Sequence, residues 1–270
     1  MKPLIALIAL GLAGCASAQP ASTGGIVSTN PCSDQLLLAL APAKVTAISH
    51  YSQEPGATSI PLDLARRYRA TAGTAEEVIA LKPDLVVASS FTPKTTLDAY
   101  RRAGLEVLTL DSPTTVAASR DQIRSVAAAV GAPAAGERLI ARIDRAVADA
   151  APRDDRRPAT ILYISDSFAN AGPSLLTEMV GLAGLGDASK DFGLAFSGNV
   201  PIESLVAHPP RIVLDPDPDG RTASLRRRVL GMAGYQVIEE RFPRQLVNCG
   251  GPTIIPALRT LAAIRSRAIG

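Results

Sequence analysis

Short β-branched runs alternate with helical patterns along almost the whole chain, and this alternation narrows the fold more than any other feature. Ile26-Val27-Ser28, Val45 to Ile48, Asp84 to Ala88 and Val107 to Leu110 read as strands. Between them, Ser33 to Leu40, Glu76 to Leu81, Leu97 to Ala103 and Ser119 to Val130 read as helices, the first with Asp34 in its opening turn. Lys82-Pro83, Gly104 and Gly131 supply the stops. Strand and helix taken in turn build a mostly parallel sheet with helices on its faces, an α/β lobe.

A second series follows the same plan. Thr160 to Ile164, Arg211 to Leu214 and Val237-Ile238 read as strands. Leu175 to Ala183, Glu203 to Ala207 and Ile254 to Ala268 read as helices. The stretch from Asp215 to Gly220 reads as a rigid loop. Between the two series lies Pro133 to Ala151, where Leu139, Ile143 and Val147 recur every fourth residue and Ile140 widens the apolar face. Arg138, Arg142, Asp144, Arg145 and Asp149 take the other faces. At 1.5 Å per residue this helix runs ~25 Å. The charged stretch from Pro152 to Pro158 after it reads as a solvated surface turn. The expected organisation is a leader over 1–18, an N-terminal lobe over 25–131, a linker helix over 132–157 and a C-terminal lobe over 158–270.

Two segments echo each other. EEVIALKPDLVVA (Glu76 to Ala88) and IESLVAHPPRIVL (Ile202 to Leu214) each open an apolar helix with an acid, then pass through Pro into a buried strand. On the residues alone, Glu simply suits a helix N-terminus.

At these residues the chain resembles the class III periplasmic substrate-binding proteins, which serve importers of iron–siderophores, haem and cobalamin. TAEEVIALKPDLVVAS is the most specific stretch. VTAISHYSQEP (Val45 to Pro55) is similar to the second strand and following loop of cobalamin-binding members, and NVPIESLVAHPPRIVL to the matching unit of the second lobe. NPCSDQLLLALAP and CGGP (Cys249 to Pro252) look like one subgroup of the family. The resemblance implies two α/β lobes joined by one long helix, with a ligand cleft between them and small opening motions. It implies no catalysis and no cofactor. It also implies docking on the two subunits of an ABC permease, with its ATPase, through one acid per lobe. Those acids fall at Glu76 and Glu203, with Glu77 as substitute if the register slips by one. A carboxylate facing a permease arginine can bond bidentately, and two such anchors fix orientation.

Ligands of parallel α/β lobes sit outside the carboxyl ends of the strands. The loops expected there carry Asn30, Tyr51, Ser52, Phe91, Asp166, Phe168 and Asn248, which we take as candidate ligand-binding residues. Tyr51 and Phe168 lead, one from each lobe. The Tyr51 loop favours a corrinoid, and an iron chelate (a siderophore or haem) is the alternative. The chain departs from its relatives in two ways. It has no Trp to lie against a corrin ring. Arg66, Arg67 and Arg69, which could serve a catecholate siderophore, follow the second strand and could face either way.

The N-terminus carries Lys2 and then an uncharged apolar stretch from Pro3 to Gly14. It is too short to span a bilayer and suits a signal-peptide core. Ala16-Ser17-Ala18 fits an ordinary cleavage site. Leu12-Ala13-Gly14-Cys15 resembles a bacterial lipobox, and it is preferred because Cys15 directly follows the small pair. Cys15 is then the lipidated residue and the membrane tether. Cys32 and Cys249 remain as an even pair in an oxidising compartment, either joined as a disulfide or left as two buried thiols.

The remaining function classes lack their residues. The net charge of +3 is spread without a basic stripe, and aromatics make up 4%, so no nucleic-acid partner is expected. His50 and His208 are the only two histidines. No GxSxG elbow or P-loop accompanies them, and His208 reads as a surface or cap residue. A secreted hydrolase on a similar scaffold remains a lower alternative. His50, Glu54 and Asp63 are too few for a metal site, so no metal is expected.

Overall fold

A computed structural model describes residues 24–269. The lipobox at Cys15 and both cleavage sites lie outside the described residues. Among those described, no helix is long and apolar enough to cross a membrane.

The first half forms β1 (Ile26–Ser28), α1 (Pro31–Leu40), β2 (Val45–Ser49), α2 (Leu62–Ala65), β3 (Arg69–Thr71), α3 (Ala75–Leu81), β4 (Leu85–Ser89), α4 (Lys94–Arg102), β5 (Glu106–Leu110) and α5 (Val116–Ala129). All five strands are parallel, in the order β3-β2-β1-β4-β5. Val27, Val86 and Val87 are fully buried, as strands covered on both faces require. α1 begins two residues earlier than its apolar pattern shows. Asn30 caps it by accepting from the Cys32 N–H at 2.8 Å, and Pro31 occupies its first turn.

Next comes α6 (Pro133–Ala150). It packs on α5 on one side and on α10 (Ile254–Ile269) on the other. Gly136 permits the first contact, since a Cβ there would stand 2.7 Å from that of Ala127. Leu139, Ile140 and Ile143 face inward, as the four-residue spacing predicts. Burying a side chain such as Ile143 contributes about 2–3 kcal/mol. Around α6 the core is continuous: Leu37, Ile123, Ile143, Leu162, Met179 and Leu261 belong to one apolar cluster that enters both halves.

The second half holds β6 (Ala159–Ser165), β7 (Phe168–Ala169), α7 (Leu175–Leu182), β8 (Gly186–Asp187), β9 (Gly198–Asn199), α8 (Ile202–Ala207), β10 (Ile212–Asp215), α9 (Arg221–Met232) and β11 (Ile238–Arg241) before α10. Its sheet runs β11-β10-β6-β7-β9, with β8 beside β6. β7 is antiparallel to β6 and to β9, and the other pairings are parallel. The fold is thus two mostly parallel α/β lobes joined by a long helix.

One helix goes unread in the sequence, and one local expectation needs correction. α9 escapes the sequence pattern, because its inward stripe is Ala223, Arg226 and Leu230, and a charge interrupts the apolar period. The run from Pro152 to Pro158 is more than a solvated turn. Arg265 of α10 is buried, and it donates to Asp154 and to the Gly184 carbonyl. Arg156 foremost, with Arg265, holds the Asp154 carboxyl down to about 2.

Candidate functional site

The carboxyl ends of β1, β4 and β5 meet that of β6 at a cleft between the two sheets. At its base lie two neighbouring cavities that share Ser112, Pro113, Asn248, Cys249 and Gly250. The larger, about 210 Å³, reaches into the C-terminal lobe past Asn170, Ser174 and Met179. The smaller, about 60 Å³, reaches Asn30, Ser89 and Phe91 of the N-terminal lobe. Among the described residues, no Lys, Arg or His lines either cavity, and Asp111 is their one carboxylate.

Asn30, Phe91 and Asn248 therefore lie at this floor, as the strand-end rule expects. Tyr51, 52% exposed, stands at the end of β2 in a 3-10 turn over His50–Gln53. Gln53 pins that turn by donating to the carbonyls of Ala65 and Tyr68 at 3.2 and 2.9 Å. Phe91 is 80% exposed and Phe168, on β7, 38%. Asp166 precedes Phe168 in the left-handed region, at φ 32°, and accepts a 3.5 Å hydrogen bond from Thr222. That conformation is costly for a residue other than glycine.

Ser52 departs from the expectation. It is 2% exposed, and its hydroxyl donates to the Asp34 carboxylate at 2.5 Å. The Ser49 N–H donates to the same oxygen at 3.1 Å. Ser52 thus fastens the Tyr51 turn from behind and offers nothing to the cleft. Asp34 is fully buried. Desolvation pushes its carboxyl from 3.8 up to about 7, against hydrogen bonds from Ser28, Ser52 and the Ser49 N–H. The folded protein keeps a proton here that the unfolded chain loses near pH 4. The contribution is fully present below pH 4 and is lost as pH rises towards 7, by up to about 4 kcal/mol for a shift of this size. Asp34→Asn keeps an acceptor for Ser52 and Ser49. Urea unfolding at pH 5 and pH 7.5 should show this variant with a flatter pH dependence than the parent. Equal slopes would contradict the account.

Glu76 and Glu203 occupy the same place in their lobes, the second residue of α3 and of α8, and both are exposed. Glu77 is also exposed, but its carboxylate accepts from the Thr71 hydroxyl at 2.9 Å and the Ala72 N–H at 2.7 Å. These bonds hold it below the usual carboxylate range. Glu76 is therefore the better placed of the two to meet a partner. Arg66, Arg67 and Arg69 are exposed and line neither cavity, and His208 caps the exposed end of α8.

Sequence patterns missed the loop after β5, Ser112 to Thr114, which forms the wall shared by both cavities. The strand-end rule points to it once β5 is assigned. They also missed Asn170, whose amide is set by Thr177 at 2.8 Å and by the Ser174 hydroxyl at 3.0 Å. Cys32 and Cys249 form a disulfide with Cα atoms 5.3 Å apart, and it joins α1 to the segment before α10.

Comparison with known proteins agrees with this architecture. A family model described as periplasmic binding protein matches residues 26–224. A search of curated protein sequences gives no match. Among solved structures, the haem-binding protein RhuT from Roseiflexus sp. RS-1 is 21% identical, with TM-score 0.68, over 89% of this chain and 98% of that one. The vitamin B12 binding protein BtuF of Vibrio cholerae is 17% identical, with TM-score 0.70, over 90% and 96%. The haem-binding protein HutB of Vibrio cholerae is 18% identical, with TM-score 0.70, over 91% and 99%. At these identities the likeness is one of fold.

Proposed function

The chain belongs to the periplasmic binding protein family, and on that premise we propose that it captures a corrinoid and presents it to the permease of an ABC importer. It acts in the periplasm, tethered through a lipid on Cys15. Glu76 and Glu203 dock it on the two permease subunits.

The observation that carries the ligand choice is the lining of the cleft floor. The two cavities offer amides and hydroxyls from Asn30, Asn170, Asn248, Ser112 and Ser174 and, among the described residues, no cation, whereas the separate groove that Asp166 borders carries Arg221 and Arg228. A corrin ring edged with carboxamides matches such a surface. Haem presents two propionates and ferric siderophores are commonly anionic, and both would want Arg or Lys there. The cavities are smaller than any macrocycle, so the ring itself lies across the mouth, against Tyr51, Phe91 and Phe168.

One feature supports haem as a second reading. The His50 and Tyr51 rings lie 4.0 Å apart between centroids, and His50 Nδ1 is 3.2 Å from the Thr71 carbonyl. A neutral imidazole donating from Nδ1 leaves Nε2 open to a metal. Tyr and His are both axial ligands of haem iron.

The two readings separate in one experiment. Cyanocobalamin binding is followed by equilibrium dialysis and hemin binding by absorbance, for the parent protein, Tyr51→Phe and Phe168→Ala. The corrinoid reading expects one cyanocobalamin per protein that hemin does not displace. Tyr51→Phe, which keeps the ring, should bind it normally, and Phe168→Ala should weaken it about three- to ten-fold. Displacement by equimolar hemin, with a coordination band lost in Tyr51→Phe, would overturn that reading in favour of haem.

A further inference from the structure

The segment from Asn248 to Thr253 leaves the C-terminal sheet and lies against the N-terminal lobe before α10 begins. Three different fastenings hold it there. Cys249 is covalently joined to Cys32 in the first turn of α1. The Gly251 N–H donates to the fully buried Ser119 hydroxyl of α5 at 2.8 Å. Buried Thr253 and half-buried Ser59 both donate to the side-chain carbonyl of Gln35 on α1, and their own oxygens are 2.9 Å apart. Gly251 makes the close seat possible. It sits at φ +61°, and a Cβ there would be 2.6 Å from Leu36 of α1.

The same segment is the floor of the cleft, since Asn248, Cys249 and Gly250 border both cavities. The disulfide also stands between two candidate ligand-binding amides. Asn30 caps the Cys32 N–H at 2.8 Å, and the Cys32 sulfur lies 3.7 Å from the Asn248 carbonyl oxygen. Asn30 and Asn248 stand two residues and one residue along the chain from the bridged cysteines, so the bridge holds the backbone of one asparagine from each lobe near a common point.

We infer that the Cys32–Cys249 disulfide is a positioning element of the ligand site, which fixes the separation of the lobes at the cleft floor and holds Asn30 and Asn248 ready for one ligand. This deepens the binding-protein reading and rests on it. Ligand capture then needs no parting of the lobes at the floor, and release is left to movement at the rim. A fixed site binds more tightly because less ordering remains to be done on binding, and the gain appears mainly in the dissociation rate.

The test compares the parent protein, C32S/C249S and Arg226→Ala. The last removes a buried ion-pair partner that borders neither cleft cavity, so it lowers stability with the bridge intact. Cyanocobalamin dissociation is measured by rapid mixing with unlabelled competitor. Amide hydrogen exchange is measured without ligand over residues 112–119 and 248–253. C32S/C249S should release the ligand about ten-fold faster, as expected when two side chains must be ordered afresh, and should exchange faster in both segments. Arg226→Ala should match the parent in dissociation, and any faster exchange should be spread over the whole chain rather than concentrated in these two segments. Parent-like dissociation and exchange in C32S/C249S, with only its melting temperature lowered, would overturn the inference and make the bridge a plain staple. If cyanocobalamin fails to bind even the parent, the ligand reading fails. Exchange then decides alone: faster exchange in the two segments supports the inference, and unchanged exchange overturns it.

Discussion

Arg226→Ala should lower the free energy of unfolding by about 3–5 kcal/mol, a loss far larger than most single substitutions produce. The Arg226 side chain is 3% exposed, and the carboxylates of Asp215 and Glu239 are 4% and 6% exposed. One guanidinium nitrogen donates to Asp215 at 2.5 Å and also to Glu239. The guanidinium carbon lies 4.5 Å from the centre of the Tyr163 ring. Alanine leaves two buried carboxylates with no buried cation: half-exposed Arg227 answers Glu239 at 2.9 Å, and Asp215 keeps only the Asp217 N–H at 2.7 Å. An unanswered charge in a dry interior costs far more than the pair ever contributed. Arg226→Met combined with Asp215→Asn and Glu239→Gln should recover most of the loss, because no charge is then stranded. Thermal unfolding reads both: a fall of roughly 10 °C for the single variant, at 2–4 °C per kcal/mol in a chain of this size. A loss under about 1 kcal/mol would mean that water reaches the triad and that the burial argument fails.

The same triad explains where the sequence could be read and where it could not. β1, β4 and β10 are covered on both faces, so they appear as unbroken apolar runs. α6 declares itself through Leu139 and Ile143. α9 hides because Arg226 occupies the position where its apolar stripe should continue. β7 and β9 are two residues each, too short to show any period, yet their pairing holds Phe168 in place. α2, of four residues, and β3, of three, are also brief.

The candidate site was partly legible for a different reason. The rule that ligands gather at strand ends needs only the strands, and of the residues it picked, Asn30, Phe91 and Asn248 border the two cavities while Tyr51, Asp166 and Phe168 border neither. It could not tell which of two adjacent side chains turns inward. Tyr51 faces solvent and Ser52 faces Asp34, because the 3-10 turn sends neighbours in different directions. Nor could it bring together Cys32 and Cys249, 217 residues apart. Their meeting depends on the whole C-terminal lobe folding back onto α1. Glu76 was separable from Glu77 only once the bonds from Thr71 and Ala72 were visible.

The exposed acids Glu76 and Glu203 bear the claim that the protein delivers what it binds. They sit at matching positions in the first turns of α3 and α8. A charge-assisted hydrogen bond contributes about 1.5–3 kcal/mol, so losing one anchor on each lobe weakens docking by roughly two to four orders of magnitude. Neither residue borders the cleft cavities. The measurement to make is therefore paired, on E76Q/E203Q beside the parent protein: calorimetric titration of purified protein with cyanocobalamin, and accumulation of labelled cyanocobalamin by cells in which this chain is the sole binding protein for its permease. We expect unchanged affinity and uptake reduced to background. Uptake at the parent level with affinity unchanged would contradict delivery through these two glutamates.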